Sequence, residues 1–169
     1  MSKESSDPTA STAVTEAPVA KPAMVNTVEA VTRSRLVTVG VDALLAEVAA
    51  LLASSQISLV VVCNADGVAT GVITETVLVR QLGFGKADIF TTCASEVMMS
   101  NFSVCQLSDS LPEVLTEMHQ RGLVHVAVVD STHRPLGVLN ARDGLRALLA
   151  QGHYEEALLR NYVMGIGYQ

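Results

Sequence analysis

Ile57-Ser-Leu-Val-Val-Val-Cys-Asn64 and Leu123-Val-His-Val-Ala-Val-Val-Asp130 are one pattern written twice. Each is a Val-rich run that ends in a turn signal, Asn64-Ala-Asp-Gly67 in the first case and Asp130-Ser-Thr-His133 in the second. Working outward, Gly71-Val-Ile-Thr74 lies against Gly137-Val-Leu-Asn140, and Val41-Asp-Ala-Leu44 against Ser108-Asp-Ser-Leu111. Ile57 to Leu123 and Gly71 to Gly137 are both 66 positions apart. With one extra residue in the first half to account for the 67 positions from Val41 to Ser108, this near-constant offset marks an internal duplication.

The halves share an internal order. Leu44, Leu45, Val48, Leu51 and Leu52 stripe one face of a helix, and Leu111, Val114, Leu115 and Met118 stripe its counterpart. Ser110 and Glu113 have the spacing of a capping box at the start of the second of these helices. The continuous apolar runs that follow (57–63 and 124–129) predict strands covered on both faces. A second strand ends at Ile73 or Leu139, and a helix begins at once. The expected class is α+β: two β-α-β-β-α repeats packed sheet on sheet about a pseudo-twofold axis. Tyr154, Leu158, Leu159, Tyr162 and Val163 predict a further C-terminal helix.

Composition agrees with buried duplicated strands. Of 169 residues, 49% are hydrophobic and only 4% aromatic, with no Trp. The mean hydropathy is +0.38. The net charge of −6 disfavours a general nucleic-acid binder, which needs a basic face for phosphates. The longest unbroken apolar run, Leu59 to Cys63, falls far short of a membrane span, and the N-terminus has no signal-like apolar segment. Cys63, Cys93 and Cys105 form no CxxC pair and read as reduced thiols of a cytoplasmic protein. Residues 1–25, rich in Ser, Thr, Ala and Pro, are expected to be a disordered tail. Repeat 1 then spans 26–87, repeat 2 spans 88–152, and the C-terminal helix 153–169.

The second half carries Glu96-Val-Met-Met99, Asp109-Ser-Leu-Pro-Glu-Val-Leu115, Met118-His-Gln-Arg-Gly-Leu123, His125-Val-Ala-Val-Val-Asp130 and Pro135-Leu-Gly-Val-Leu-Asn-Ala-Arg-Asp143. In this order, and duplicated, these segments resemble a tandem pair of CBS (cystathionine beta-synthase) domains, the regulatory Bateman module. The likeness covers about residues 28–152. It implies a stand-alone, non-catalytic regulatory module. Such a module binds an adenosine-containing ligand (AMP, ADP, ATP or S-adenosylmethionine) between the repeats and passes a signal to a separate client protein, commonly as a homodimer.

The family's ligand motif is Gly, an apolar residue, any residue, Ser or Thr, two further residues, then Asp. The Asp accepts hydrogen bonds from a ribose diol, and the hydroxyl and helix N-terminus take a phosphate. The first repeat keeps Thr74 but places Val77 at the acid position. The second keeps Asp143 but has Asn140 for the hydroxyl, with Arg142 as a neighbouring cation. Asp143, Asn140, Arg142 and Thr74 are therefore the expected ligand residues, joined by His125 in the second strand, and the Asp143 end is expected to dominate.

A structural role competes at each position. Asn140 and Asp143 have the types and spacing of a helix N-cap and first-turn acid, as do Thr74 and Glu75. Arg121 reads best as a cation at a helix C-terminus. No His-x-x-x-His pair suggests a metal, Gly83-Phe-Gly-Lys86 lacks the glycine and hydroxyl of a phosphate loop, and no nucleophile–base set has a supporting motif. With no aromatic platform in the first 83 residues, an adenine is expected to sit among aliphatic side chains. The degenerate motifs leave a second reading open, a ligand-free dimeric scaffold for protein interaction.

Overall fold

The computed structural model describes residues 21–54 and 57–165. Each Val-rich run is the middle strand of a three-stranded sheet. In the first repeat, β1 (Thr38–Gly40) is joined to β2 (Leu59–Cys63) by α2 (Leu45–Ser54), and β3 (Ala69–Thr74) leads into α3 (Glu75–Gly83). In the second, β4 (Val104–Cys105), α5 (Leu111–Gln120), β5 (His125–Val129), β6 (Pro135–Asn140) and α6 (Ala141–Gly165) repeat the order. Both sheets pair the outer strands parallel and antiparallel to the middle one, as β1-β2-β3 and β4-β5-β6. Even the irregularity is duplicated: the register shifts at Val62/Cys63 in one sheet and at Val128/Val129 in the other.

The middle strands are apolar throughout because both faces are covered. Val60 and Val62 pack with Leu45 and Val48 on the helical side. Leu59 and Val61 turn the other way and meet Ala127 and Val138 in the layer between the sheets. Val126 and Val128 face the second repeat's own helices, with Leu111 and Met118. Alternation along a strand thus feeds two cores at once.

Two short helices depart from the expected boundaries. Before α1 (Glu29–Ser34), residues Val25–Val28 form a 3-10 turn. Val25 and Val28 are buried with Leu111, Met118 and Leu139 of the second repeat, and α1 packs on β6. Conversely α4 (Ala94–Val97) inserts Ala94 and Val97 into the core of the first repeat. Each repeat is completed by the helix that precedes the other. The tail expected over 1–25 is therefore too long by its last residues: Ala23 and Val25 are buried, and Val25 N–H donates to Asp109 O at 2.9 Å. Residues 1–20 lie outside the described residues.

The same contact displaces the capping box expected at Ser110. Met24 bridges Ser110, and Leu111 N–H donates to Ala23 O at 2.8 Å, so the helix start is satisfied by the N-terminal segment. The Ser110 side chain makes no cap bond. The C-terminal helix is present as the continuation of α6, which runs unbroken from Ala141 to Gly165. Gly144 is tolerated there since a Cβ would come within 2.9 Å of Leu115 Cδ2, and its absence lets α6 lie close on α5. The stripe beginning at Tyr154 falls on side chains outside the described ones. No helix among the described residues is long and apolar enough to cross a membrane.

Candidate functional site

The two glycine motifs sit where β3 passes into α3 and β6 into α6, and the first residues of α3, Glu75 and Thr76, border a cavity between the repeats. Thr74 caps the first: its Oγ1 accepts from Val77 N–H at 3.3 Å. Asn140 caps the second, its Oδ1 accepting from Arg142 N–H at 2.8 Å. Asparagine has a second functional end, and here it is used. Asn140 Nδ2 lies 2.9 Å from Nε2 of His125, its register partner on β5. Because Oδ1 is already an acceptor, the amide donates and Nε2 is the unprotonated nitrogen.

Asp143, in the first turn of α6, faces Arg35 at the end of α1. Arg35 Nε donates to Asp143 Oδ2 at 2.6 Å, with side-chain exposures of 32% and 10%. The exchanged helix delivers this guanidinium across 108 residues of sequence. Burial first, then the Arg35 charge, lowers the His125 pKa from its ordinary value, while Asp143 and Glu75 act in the opposite sense. His125 is thus held as the neutral imidazole that its hydrogen bond to Asn140 requires.

At the pseudo-symmetric end, Val77 stands for Asp143 and Asn101 for Arg35. A cavity of about 510 Å³ opens there. Leu59, Val72, Phe102 and Ala127 supply apolar wall, and Thr74, Ser103, Arg121 and His125 supply polar groups. Its size is that of small-molecule sites in general. Of the expected residues, Thr74 and His125 line the cavity. Asn140 stands behind His125, Asp143 is engaged by Arg35, and Arg142 is exposed at the start of α6.

Four residues were not anticipated as site residues. Arg121 does end α5, with Nη1 3.1 Å from Glu117 Oε1, but it also borders the cavity. Phe102 gives the cavity an aromatic wall, which corrects the expectation of a purely aliphatic one. Ser103 and Arg35 complete the set. No sequence signal singled them out, since the repeat offset lays Phe102 and Ser103 against Leu36 and Val37, which carry no ligand chemistry.

The family profile of the CBS domain matches residues 28–83 and again 94–150. No curated protein matches the sequence significantly. Among solved structures, a CBS-domain containing protein of Agrobacterium tumefaciens is 29% identical, with TM-score 0.64 over 73% of this chain and 92% of its own. The CBS domain pair of protein MJ0100, solved in complex with 5′-methylthioadenosine and S-adenosyl-L-methionine, is 20% identical. Its TM-score is 0.64 over 78% of this chain and 99% of that one. A CBS domain protein of Pyrobaculum aerophilum complexed with AMP is 24% identical, with TM-score 0.57 over 64% and 82% of the two chains. Two profile matches in tandem, one on each of two like-folded repeats, leave one assignment: the chain belongs to the CBS-domain family.

Proposed function

We propose that this chain is a non-catalytic regulatory module. It takes an adenosine-containing ligand (AMP, ADP, ATP or S-adenosylmethionine) in the cleft between its repeats and reports occupancy to a separate client protein. The observation that carries the reading is the inter-repeat cavity of about 510 Å³. Both sheets contribute to its walls, so a ligand there touches both repeats and changes their relative energy. The complexes of the two similar CBS proteins with AMP and with S-adenosyl-L-methionine and 5′-methylthioadenosine support the ligand class. Phe102 provides a face for the base, and Thr74 and the N-terminus of α3 stand ready for a polar or anionic group. Asn140 reaches the site only through His125, while Asp143 is held by Arg35, and a ribose that reached it would have to replace that guanidinium.

Calorimetry with AMP, ATP and S-adenosylmethionine tests the reading, on protein shown by mass spectrometry to be free of co-purified nucleotide. Saturable heat for any of them is expected. Its absence for all three overturns the proposal and leaves the scaffold reading. One observation favours that second reading: Val79 on α3 and Leu145 on α6 are large, apolar and exposed, as a covered dimer face would be in isolation.

A further inference from the structure

The two ends of the cleft descend from one duplicated pattern, yet the cavity of about 510 Å³ opens at the end that carries Thr74, and at the other Arg35 occupies the acid. At the closed end the polar groups are already paired, Arg35 with Asp143 at 2.6 Å and Asn140, at 2.9 Å, with the His125 that itself lines the cavity. Their counterparts, 66 positions away, are Asn101, Val77, Thr74 and Leu59. Neither Val77 nor Leu59 has a polar side chain, so neither bond can be reproduced there. The open end also holds a polar atom in want of a partner: Ser103 Oγ is buried without a hydrogen bond, and Ser103 lines the cavity. Such a group is costly unless something bonds it. The closed end has no such vacancy, since Asp143 is satisfied by Arg35.

We infer that Arg35 is the specificity-determining residue of the cleft. By holding Asp143 it removes from ligand recognition the one acid at the ribose-binding position. The chain then binds a single adenosine-containing ligand, at the open end against Phe102, Ser103 and Arg121. Arg35 acts as a built-in occupant of the other end, tethering α1 to α6 as a bound ligand would. This inference rests on the ligand class proposed above and goes beyond it in stating where, how many, and which residue decides.

The test is calorimetry with AMP and S-adenosylmethionine on the full chain and on Arg35→Ala, Asp143→Asn and the double variant. Wild type is expected to bind one ligand per chain, and Asp143→Asn to change that affinity less than threefold. Arg35→Ala is expected to raise the stoichiometry to two, and the double variant to return it to one. A tenfold or greater loss on Asp143→Asn with Arg35 intact overturns the inference, as does a stoichiometry of one in Arg35→Ala. If no variant binds either compound, the reading of ligand class fails, and the tether is judged separately by urea unfolding of the same four proteins. Coupling of fivefold or more in the folding equilibrium constant sustains the tether, and additive effects overturn it. Arg35→Lys, which keeps the charge, guards against loss of fold in the alanine variant.

Discussion

A Cβ placed on Gly137 would lie 2.8 Å from the carbonyl carbon of Thr32 and 2.9 Å from its Oγ1. The pseudo-symmetric contact is Gly71 against Met98, where a Cβ would meet the side-chain sulfur at 2.5 Å. Neither glycine has a positive φ. Each is small so that the exchanged helix, α1 or the residues after α4, can press against the sheet of the other repeat. Gly137→Ala meets backbone, which cannot swing aside, and should destabilise by about 3 kcal/mol. Gly71→Ala meets a flexible methionine and should cost about 1 kcal/mol. Urea unfolding midpoints compare them, and equal losses would refute the distinction.

If the N-terminal segment is part of the second repeat, its valines behave as core. Val25 is 0% exposed and Val28 is 7% exposed, among Leu111, Met118 and Leu139. Val25→Ala and Val28→Ala should each destabilise by about 2 kcal/mol, the worth of two buried methyl groups plus a small void. Native-state hydrogen exchange should show the loss in α5, β5 and β6 before β2 and β3. Loss confined to the first repeat would contradict the exchange of helices.

The duplication and both middle strands were legible because the pattern is local: a Val-rich run, a turn and a glycine recur at a fixed offset. The exchange of helices was not. The sequence around Val25, Val28, Ala94 and Val97 shows that a short apolar face exists, but nothing in its spacing says which sheet covers it. Arg35 was invisible for the same reason. An arginine at a helix end is ordinarily solvated or a dipole partner, and its partner Asp143 is far along the chain. Asp143 itself stood out by motif, and the motif says which side chain suits a ribose, not which neighbour already holds it. Asn140 and Thr74 take the capping role that their types and spacing suggest.

The turns of the two hairpins are equivalent but not equally comfortable. Gly67 has φ of 76°, and its counterpart His133 has φ of 60°. Left-handed backbone strains a residue that carries a Cβ by roughly 1–2 kcal/mol, while glycine's freedom in the unfolded chain offsets about 0.4–1 of that. His133→Gly should therefore stabilise by about 0.5–1 kcal/mol, and Gly67→Ala should destabilise by about 1 kcal/mol. A Cβ on Gly67 has space, with Arg134 Nη1 at 3.4 Å, so the effect there is backbone strain alone. Thermal unfolding of the two variants checks both signs.

Val79 and Leu145 are 66 positions apart and are exposed to 68% and 53%. Leu149, one turn beyond Leu145, is exposed to 65%. The two helices thus present matching apolar faces, which a second copy related by twofold symmetry would cover. Sedimentation velocity should show a dimer for the wild type and a folded monomer for Val79→Glu/Leu145→Glu. A monomeric wild type would remove the dimer from the proposed function.

His125 should give stability a pH dependence of definite sign. Its folded-state pKa lies below the ordinary 6.5, chiefly because burial disfavours the imidazolium. Protonation would also take the acceptor at Nε2 away from Asn140 Nδ2. Well above 6.5 the imidazole is neutral in both folded and unfolded chains and contributes no slope. As the pH falls below 6.5, the unfolded chain gains a proton before the folded one does, so stability is lost until the folded pKa is passed. His125→Leu, which copies Leu59 at the equivalent position, should remove this loss below pH 6.5 while leaving acid unfolding by carboxylates in place. Urea midpoints measured at half-unit intervals through that window test it. A slope that survives the substitution would place the titrating group elsewhere.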